Sequence, residues 1–192
     1  MTNSRPNRIV LCGEARVGKT CLFRRLKGDE IDTNYSPTAL SDRCQITLPD
    51  FDNEVLNIWD TAGDIRFRDQ VSLYLRQADV IVIVTDSLNS KTLHRMQRWA
   101  RLAMQANRDE MRPNMVFVRT KKDAGISKHE EVSSKDAAKH YHYDFFVVSS
   151  VTCEGIDDLT AHLVELCRDR KVNPPPIGIN LDEEDHSDKC RC

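Results

Sequence analysis

The chain has 192 residues, 30% charged and 40% apolar, with 28 basic and 30 acidic side chains and a net charge of −2. That composition suits one well-filled soluble core and carries no global basic field, so nucleic acid is not an expected partner. Seven cysteines are an odd number, and Cys12, Cys21, Cys44, Cys153 and Cys167 are scattered among apolar neighbours. They read as buried or half-buried thiols in a reducing compartment, not as a disulfide frame or a zinc site.

Met1 to Arg8 lacks the apolar stretch of a secretory signal, and the longest wholly apolar run, Val80 to Val84, is too short to cross a bilayer. Arg8–Cys12 is β-branched and apolar and predicts a first parallel strand. It runs into Gly13-Glu14-Ala15-Arg16-Val17-Gly18-Lys19-Thr20, and a helix is expected over Thr20–Lys27. Strand, Gly-x-x-x-x-Gly-Lys-Thr and helix together make a phosphate-binding loop. Its glycines let backbone N–H groups curl inward toward oxyanions, and the positive end of the helix adds to the attraction. The expected nucleotide contacts in this stretch are Gly13, Ala15, Arg16, Val17, Gly18, Lys19, Thr20 and Cys21. Lys19 reaches the β- and γ-phosphates, and the Thr20 hydroxyl ligates Mg²⁺. Only backbone N–H groups need face the phosphates, so the Arg16 side chain should point outward.

Arg43 to Leu48 alternates polar and apolar residues as a half-exposed edge strand does, and Pro49 to Asn53 turns it back into a strand over Val55–Trp59. That strand leads to Asp60-Thr61-Ala62-Gly63. A carboxylate there suits the Mg²⁺ shell, and the Gly63 N–H suits a γ-phosphate. Asp79–Thr85 and Asn114–Arg119 are further buried strands, separated by a helix over Lys91–Asn107 with Leu93, Met96, Trp99, Ala100 and Ala103 on one face. Thr120-Lys121-Lys122-Asp123 follows the second of them, and Ser149-Ser150-Val151 follows a strand over Asp144–Val148. A carboxylate at Asp123 accepts N1–H and the amino group of guanine, whereas adenine offers it an acceptor. Rejecting adenine leaves a buried charge unpaired, which discriminates strongly. The Lys121 stem can lie along the base, and the Ser150 N–H can donate to its O6.

A last helix is expected over Ile156–Arg170, with Asp157 and Asp158 in its first turn and Leu159, Leu163, Leu166 and Cys167 on its buried face. Pro174-Pro175-Pro176 then predicts a stiff spacer, and the polar, acidic stretch after it predicts disorder. The expected architecture is one doubly wound α/β domain over residues 1–172, a mostly parallel six-stranded sheet with one antiparallel edge strand, followed by a flexible tail over 173–192.

The loops Gly13–Thr20, Asp60–Gly63, Thr120–Asp123 and Ser149–Val151 together resemble the small GTPases of the Ras superfamily, and the likeness spans about Arg8 to Val172. Ile58-Trp59-Asp60-Thr61-Ala62-Gly63, Arg66-Phe67-Arg68, Tyr74-Leu75-Arg76 and Cys190-Arg191-Cys192 narrow it to the Rab family. The resemblance implies a switch of vesicle traffic that binds GTP and GDP with Mg²⁺, hydrolyses GTP, and in its GTP form recruits effectors. It also implies an exchange factor, a GTPase-activating protein and residence on the cytoplasmic face of intracellular membranes. Tyr35-Ser36-Pro37-Thr38 looks like the first switch, with Tyr35 on the nucleotide and Thr38 completing the Mg²⁺ shell. The implied metal ligands are Thr20, Thr38 and Asp60, and the implied catalytic group is Lys19, Thr38, Gly63 and Asp64. Cys190 and Cys192 are the implied acceptors of geranylgeranyl groups from the prenylation machinery. Two lipids hold a protein at a membrane where one holds it marginally, and the acidic residues around this pair would repel anionic lipid.

The chain departs from the pattern it resembles at named positions. Relatives carry Gln after Asp-Thr-Ala-Gly, and this chain carries Asp64. An ionised Asp is shorter, cannot donate, and sets a negative charge beside a γ-phosphate, so slow intrinsic hydrolysis is expected. Ile31 stands where relatives place a Phe over the guanine edge, which removes an aromatic contact. Thr120 replaces the commoner Asn, and Ala39-Leu40-Ser41-Asp42-Arg43 replaces the usual Ile-Gly-Val-Asp-Phe on the effector-facing side. A GTP-loaded scaffold with negligible hydrolysis is the alternative function. A P-loop kinase would want an arginine-rich lid and has no use for Asp123.

Overall fold

A computed structural model of the chain describes residues 7–31, 41–76, 78–87, 92–107, 113–125, 135–136, 138–139 and 142–172. Among them are six strands: β1 (Asn7–Cys12), β2 (Ser41–Leu48), β3 (Glu54–Thr61), β4 (Val80–Asp86), β5 (Asn114–Thr120) and β6 (Asp144–Val147). They form one sheet in the order β2-β3-β1-β4-β5-β6. β1 pairs in parallel with β3 and β4, β4 with β5, and β5 with β6, while β2 runs antiparallel along β3. The chain is thus an α/β protein with five parallel strands and one antiparallel edge strand, as its sequence predicts.

Each predicted strand is found, with ends displaced by a residue or two. Between β2 and β3, Pro49–Phe51 make a short 3₁₀ turn, and Asp52 and Asn53 both lie at φ 58°, which closes the expected hairpin. Asp79 falls just outside β4. Its carboxylate accepts the Arg8 backbone N–H at 2.8 Å, so a residue that looks like the start of a strand instead ties two strand ends together.

Four longer helices are described: α1 (Lys19–Lys27), α2 (Arg68–Leu75), α3 (Thr92–Ala106) and α4 (Ile156–Val172). The strict alternation of β4 decides how they are layered. Val80, Val82 and Val84 join Leu22, Phe23 and Leu26 of α1 and Leu159, Leu163 and Cys167 of α4 on one face. Ile81 and Ile83 join Val71 and Leu75 of α2 and Met96, Trp99, Ala100 and Ala103 of α3 on the other. Helices on both faces explain why the central strands read as unbroken apolar runs. Asn107 fastens two helix ends, its amide donating to the carbonyls of Leu75 (3.0 Å) and Ala103 (2.8 Å). Between Gly63 and Asp79, where no element is expected from the sequence, α2 is found.

This arrangement puts the carboxyl ends of β1, β3, β4, β5 and β6 at one edge of the sheet, where doubly wound folds bind their ligands.

Candidate nucleotide-binding site

β1 ends at Cys12 and delivers Gly13 against the neighbouring strand. A Cβ on Gly13, at φ +144°, would sit 2.2 Å from the Val84 carbonyl oxygen, so only glycine passes there. Arg16 follows at φ 66° with its side chain exposed, as expected. The loop closes at Gly18, and Lys19 opens α1. Lys19 is 6% exposed, and its ammonium donates to the Glu14 carbonyl at 2.7 Å. Burial holds its pKa below the ordinary lysine value, and the charges of Asp60, Cys12 and Glu14 oppose that shift. A buried cation at the mouth of such a loop suits a polyphosphate, whose charge would offset the cost of that burial.

The Thr20 hydroxyl donates to Asp60 Oδ2 at 2.6 Å, and Asp60 is fully buried at the end of β3. A hydroxyl and a carboxylate this close form a hard oxygen pair, so the residues present fit a Mg²⁺ ion. Thr61, next along, anchors the turn by donating to the Leu11 carbonyl at 2.8 Å. Gly63 then lies directly on the phosphate loop, where a Cβ would meet Ala15 N at 2.4 Å. Asp64 is tied to Arg66. The guanidinium reaches Oδ2 through Nη2 at 2.7 Å and through Nε at 3.0 Å, and the Arg66 backbone N–H donates to Oδ1 at 2.9 Å. Those bonds hold the Asp64 carboxyl below the usual carboxylate range.

The loops expected to read the base lock onto the loop expected to hold the phosphates. The buried Thr120 hydroxyl lies 2.5 Å from the Val17 carbonyl and 3.1 Å from that of Thr85. It therefore links the two loops in the place of the commoner Asn. Lys121, at φ 60°, donates to the Arg16 carbonyl at 2.9 Å and pairs with Asp86 at 3.0 Å. Ser149 donates to Asp123 Oδ1 at 2.5 Å and accepts the N–H groups of Val151 and Thr152 at 3.2 and 3.0 Å. One hydroxyl thus orders its own turn and fixes the carboxylate of the neighbouring loop. Ser150 is buried, and its carbonyl takes Arg25 Nε of α1 at 2.8 Å, while Val151 is exposed.

The expected site residues of the phosphate loop, the β3 end and the two base-reading loops are thereby brought to one rim. Cys21 sits half-buried in the first turn of α1. Ile31 is half-buried a few residues past the end of α1. Tyr35, Thr38, Cys190 and Cys192 lie outside the described residues, as does the whole predicted tail. Of the cysteines expected to be buried or half-buried, Cys12 and Cys167 are buried and Cys21 and Cys44 are half-buried, but Cys153 is exposed. It sits at φ 65° in the turn after Val151, where a left-handed backbone turns the chain back into α4 and leaves its thiol outside. Burial pushes the Cys12 thiol up to about 12. Arg43, in the stretch that departs from relatives, lies 5.3 Å from the Trp59 ring, and Arg8 lies 4.7 Å from the same ring.

Sequence reasoning missed two charged partners. Asp86 pairs with Lys121, and Glu14 pairs with Arg95 Nη1 at 2.9 Å and Arg98 Nη2 at 2.5 Å. The phosphate-loop pattern leaves the Glu14 position open, so only the spacing of Arg95 and Arg98 on one helix face hinted at a shared partner.

The family model described as Roc, the Ras of Complex domain of DAPkinase, matches residues 8–123. The chain belongs to the Ras superfamily of small GTPases. Within it, this small GTPase is similar to Ras-related protein Rab-34 of Sus scrofa and of Homo sapiens, each 30% identical over 173 residues that cover 86% of the chain. It is also similar to Ras-related protein RABE1e of Arabidopsis thaliana, 28% identical over 186 residues, covering 93% of the chain and 84% of that relative. The matched region is 65% of the length of the Rab-34 proteins. These relatives are Rab-type small GTPases. No helix among the described residues is long and apolar enough to cross a membrane.

Proposed function

We propose that this chain is a guanine-nucleotide switch that binds GTP and GDP with Mg²⁺ and hydrolyses GTP in the service of vesicle traffic. The observation that carries the reading is the Ser149–Asp123 bond at 2.5 Å on loops that are themselves pinned to the phosphate loop through Thr120 and Lys121. It holds a carboxylate ready for a guanine edge at a fixed offset from an anion cradle. Lys19 and the loop N–H groups would take the phosphates, and Thr20 and Asp60 would hold the Mg²⁺. When bound, that ion neutralises charge on the phosphate oxygens. Gly63 would offer its N–H at the γ-phosphate, with Thr38 joining the metal shell in the GTP form.

The test is equilibrium binding of fluorescent GDP with Mg²⁺ present. Excess GTP should displace the probe, and excess ATP should leave it bound. Equal displacement by both removes the proposal.

A specific observation favours a second reading, a GTP-loaded scaffold with negligible intrinsic hydrolysis. Asp64 is engaged by Arg66, and an ionised carboxylate so held offers an attacking water no donor. Single-turnover hydrolysis with and without cell extract separates the two, because a stimulating protein restores the rate of a switch and not of a scaffold. The reading extends to an exchange factor, an activating protein and effectors as partners, on the cytoplasmic face of intracellular membranes. Attachment there is assigned to geranylgeranyl groups on Cys190 and Cys192. Serine at both positions should move the protein to the cytosolic fraction.

A further inference from the structure

Glu14 stands where the phosphate loop meets α3 and joins three parts of the site. Its carboxylate, 22% exposed, lies between Arg95 and Arg98. Its carbonyl oxygen receives the Lys19 ammonium at 2.7 Å. The same carbonyl oxygen would lie 2.5 Å from a Cβ on Gly63, so the glycine of the β3 loop rests on it. The junction borders a cleft of about 560 Å³ whose walls include Glu14, Gly63, Asp64, Arg68, Arg95 and Arg98.

An acidic side chain inside an anion-binding loop would repel a polyphosphate and leave the loop free to swing outward. Two guanidinium groups three residues apart on one helix face outweigh that single negative charge and fix its direction. We propose that Arg95 and Arg98 are positioning residues for the nucleotide: by clamping Glu14 they set the carbonyl that aims Lys19 and the surface on which Gly63 rests. The inference rests on the proposed guanine-nucleotide function and adds α3 to the site as its support. The ion pairs of Arg95 and Arg98 run to Glu14 of the loop after β1, so their influence falls on the phosphates and not on the purine.

The experiment compares GDP and GMP binding to the full chain, the Glu14→Gln variant, the Arg95→Ala/Arg98→Ala variant and the triple variant. Lys19 serves the β-phosphate, which GMP lacks. Each of the first two variants should release GDP about tenfold faster, the effect of losing a charge-assisted bond, with GMP affinity unchanged. The triple variant should be no faster than either, because all remove one shared contact. Arg98→Lys, the gentler change, should fall between wild type and the double variant. Unchanged GDP release, equal weakening of GMP and GDP, or additive effects in the triple variant overturn the clamp. Wild-type chain that binds no GDP overturns the function beneath it, whereas wild-type binding with variants at the wild-type rate overturns the clamp alone.

Discussion

Lys19 is a cation where water hardly reaches, and its lowered pKa records what that burial costs. Because the folded value lies below the unfolded one, Lys19 opposes folding while it is protonated. That opposition fades as pH rises from the lowered folded value toward the ordinary lysine value, so its contribution to stability improves with alkalinity. Lys19→Met should therefore leave the nucleotide-free protein at least as stable at pH 7 and flatten its gain between pH 7 and 10, read by thermal unfolding. The same variant should weaken GDP binding by about 2 kcal/mol or more, since a charge-assisted bond to phosphate is lost. At Asp64, exchange to Gln releases the Arg66 side-chain pairing and restores an amide that both donates and accepts. Single-turnover GTP hydrolysis should rise about tenfold, within the range of a water-orienting group. A rate unchanged or lower in Asp64→Gln means another group orients the water. Among the described cysteines, Cys153 should be alkylated in the native protein, while Cys12, raised to about 12 and buried, should resist until unfolding. Peptide mapping after brief treatment at pH 7.5 reads that difference.

Elements with strong periodicity were legible, and those without it were not. β4 and α3 announce themselves because each buries a continuous set of apolar residues, and α4 does so through Leu159, Leu163 and Cys167. α2 buries Val71 and Leu75 in the core with Tyr74 packed partly against it, sets Leu73 outside at 70% exposure, and carries charged or polar residues in its first turn. Tertiary contact with α3 makes that stretch a helix, and no single-segment pattern carries such a contact. The phosphate loop, Asp60, Thr120 and Asp123 could be placed from motif and strand context. The Glu14 and Asp86 ion pairs could not, because they join residues far apart in the chain. The same contrast sets the energetics of the two helices. Trp99 of α3, 4% exposed, is packed in the core, and Trp99→Ala should cost about 3–5 kcal/mol in chemical denaturation. Leu73→Ala on α2 should change stability by about 0.5 kcal/mol or less.

At the scale of the whole molecule, one sheet edge gathers loops whose sequence separation exceeds a hundred residues. Val17 meets Thr120, Arg16 meets Lys121, and Arg25 meets Ser150. The loops after β5 and β6 are thus fastened to the loop after β1 and to α1, so under the proposed function selectivity for the purine and grip on the phosphates would share supports. Ser149 is the most economical place to separate them. Its hydroxyl donates to Asp123 and accepts the Val151 and Thr152 N–H groups, three bonds that stay within the loops after β5 and β6. Ser149→Ala leaves those two N–H groups to water and frees the Asp123 carboxylate to rotate, while Lys19, Thr20 and Asp60 keep their partners. GDP should dissociate about tenfold faster, the equivalent of one bond to a charged group. The preference for GTP over ATP in competition should fall by a similar factor, because an unfixed carboxylate rejects adenine less sharply. The dependence of binding on Mg²⁺ should stay at its wild-type value. A variant that loses Mg²⁺ dependence together with purine preference would mean that the two halves of the rim move as one body, and that Ser149 supports the whole of it.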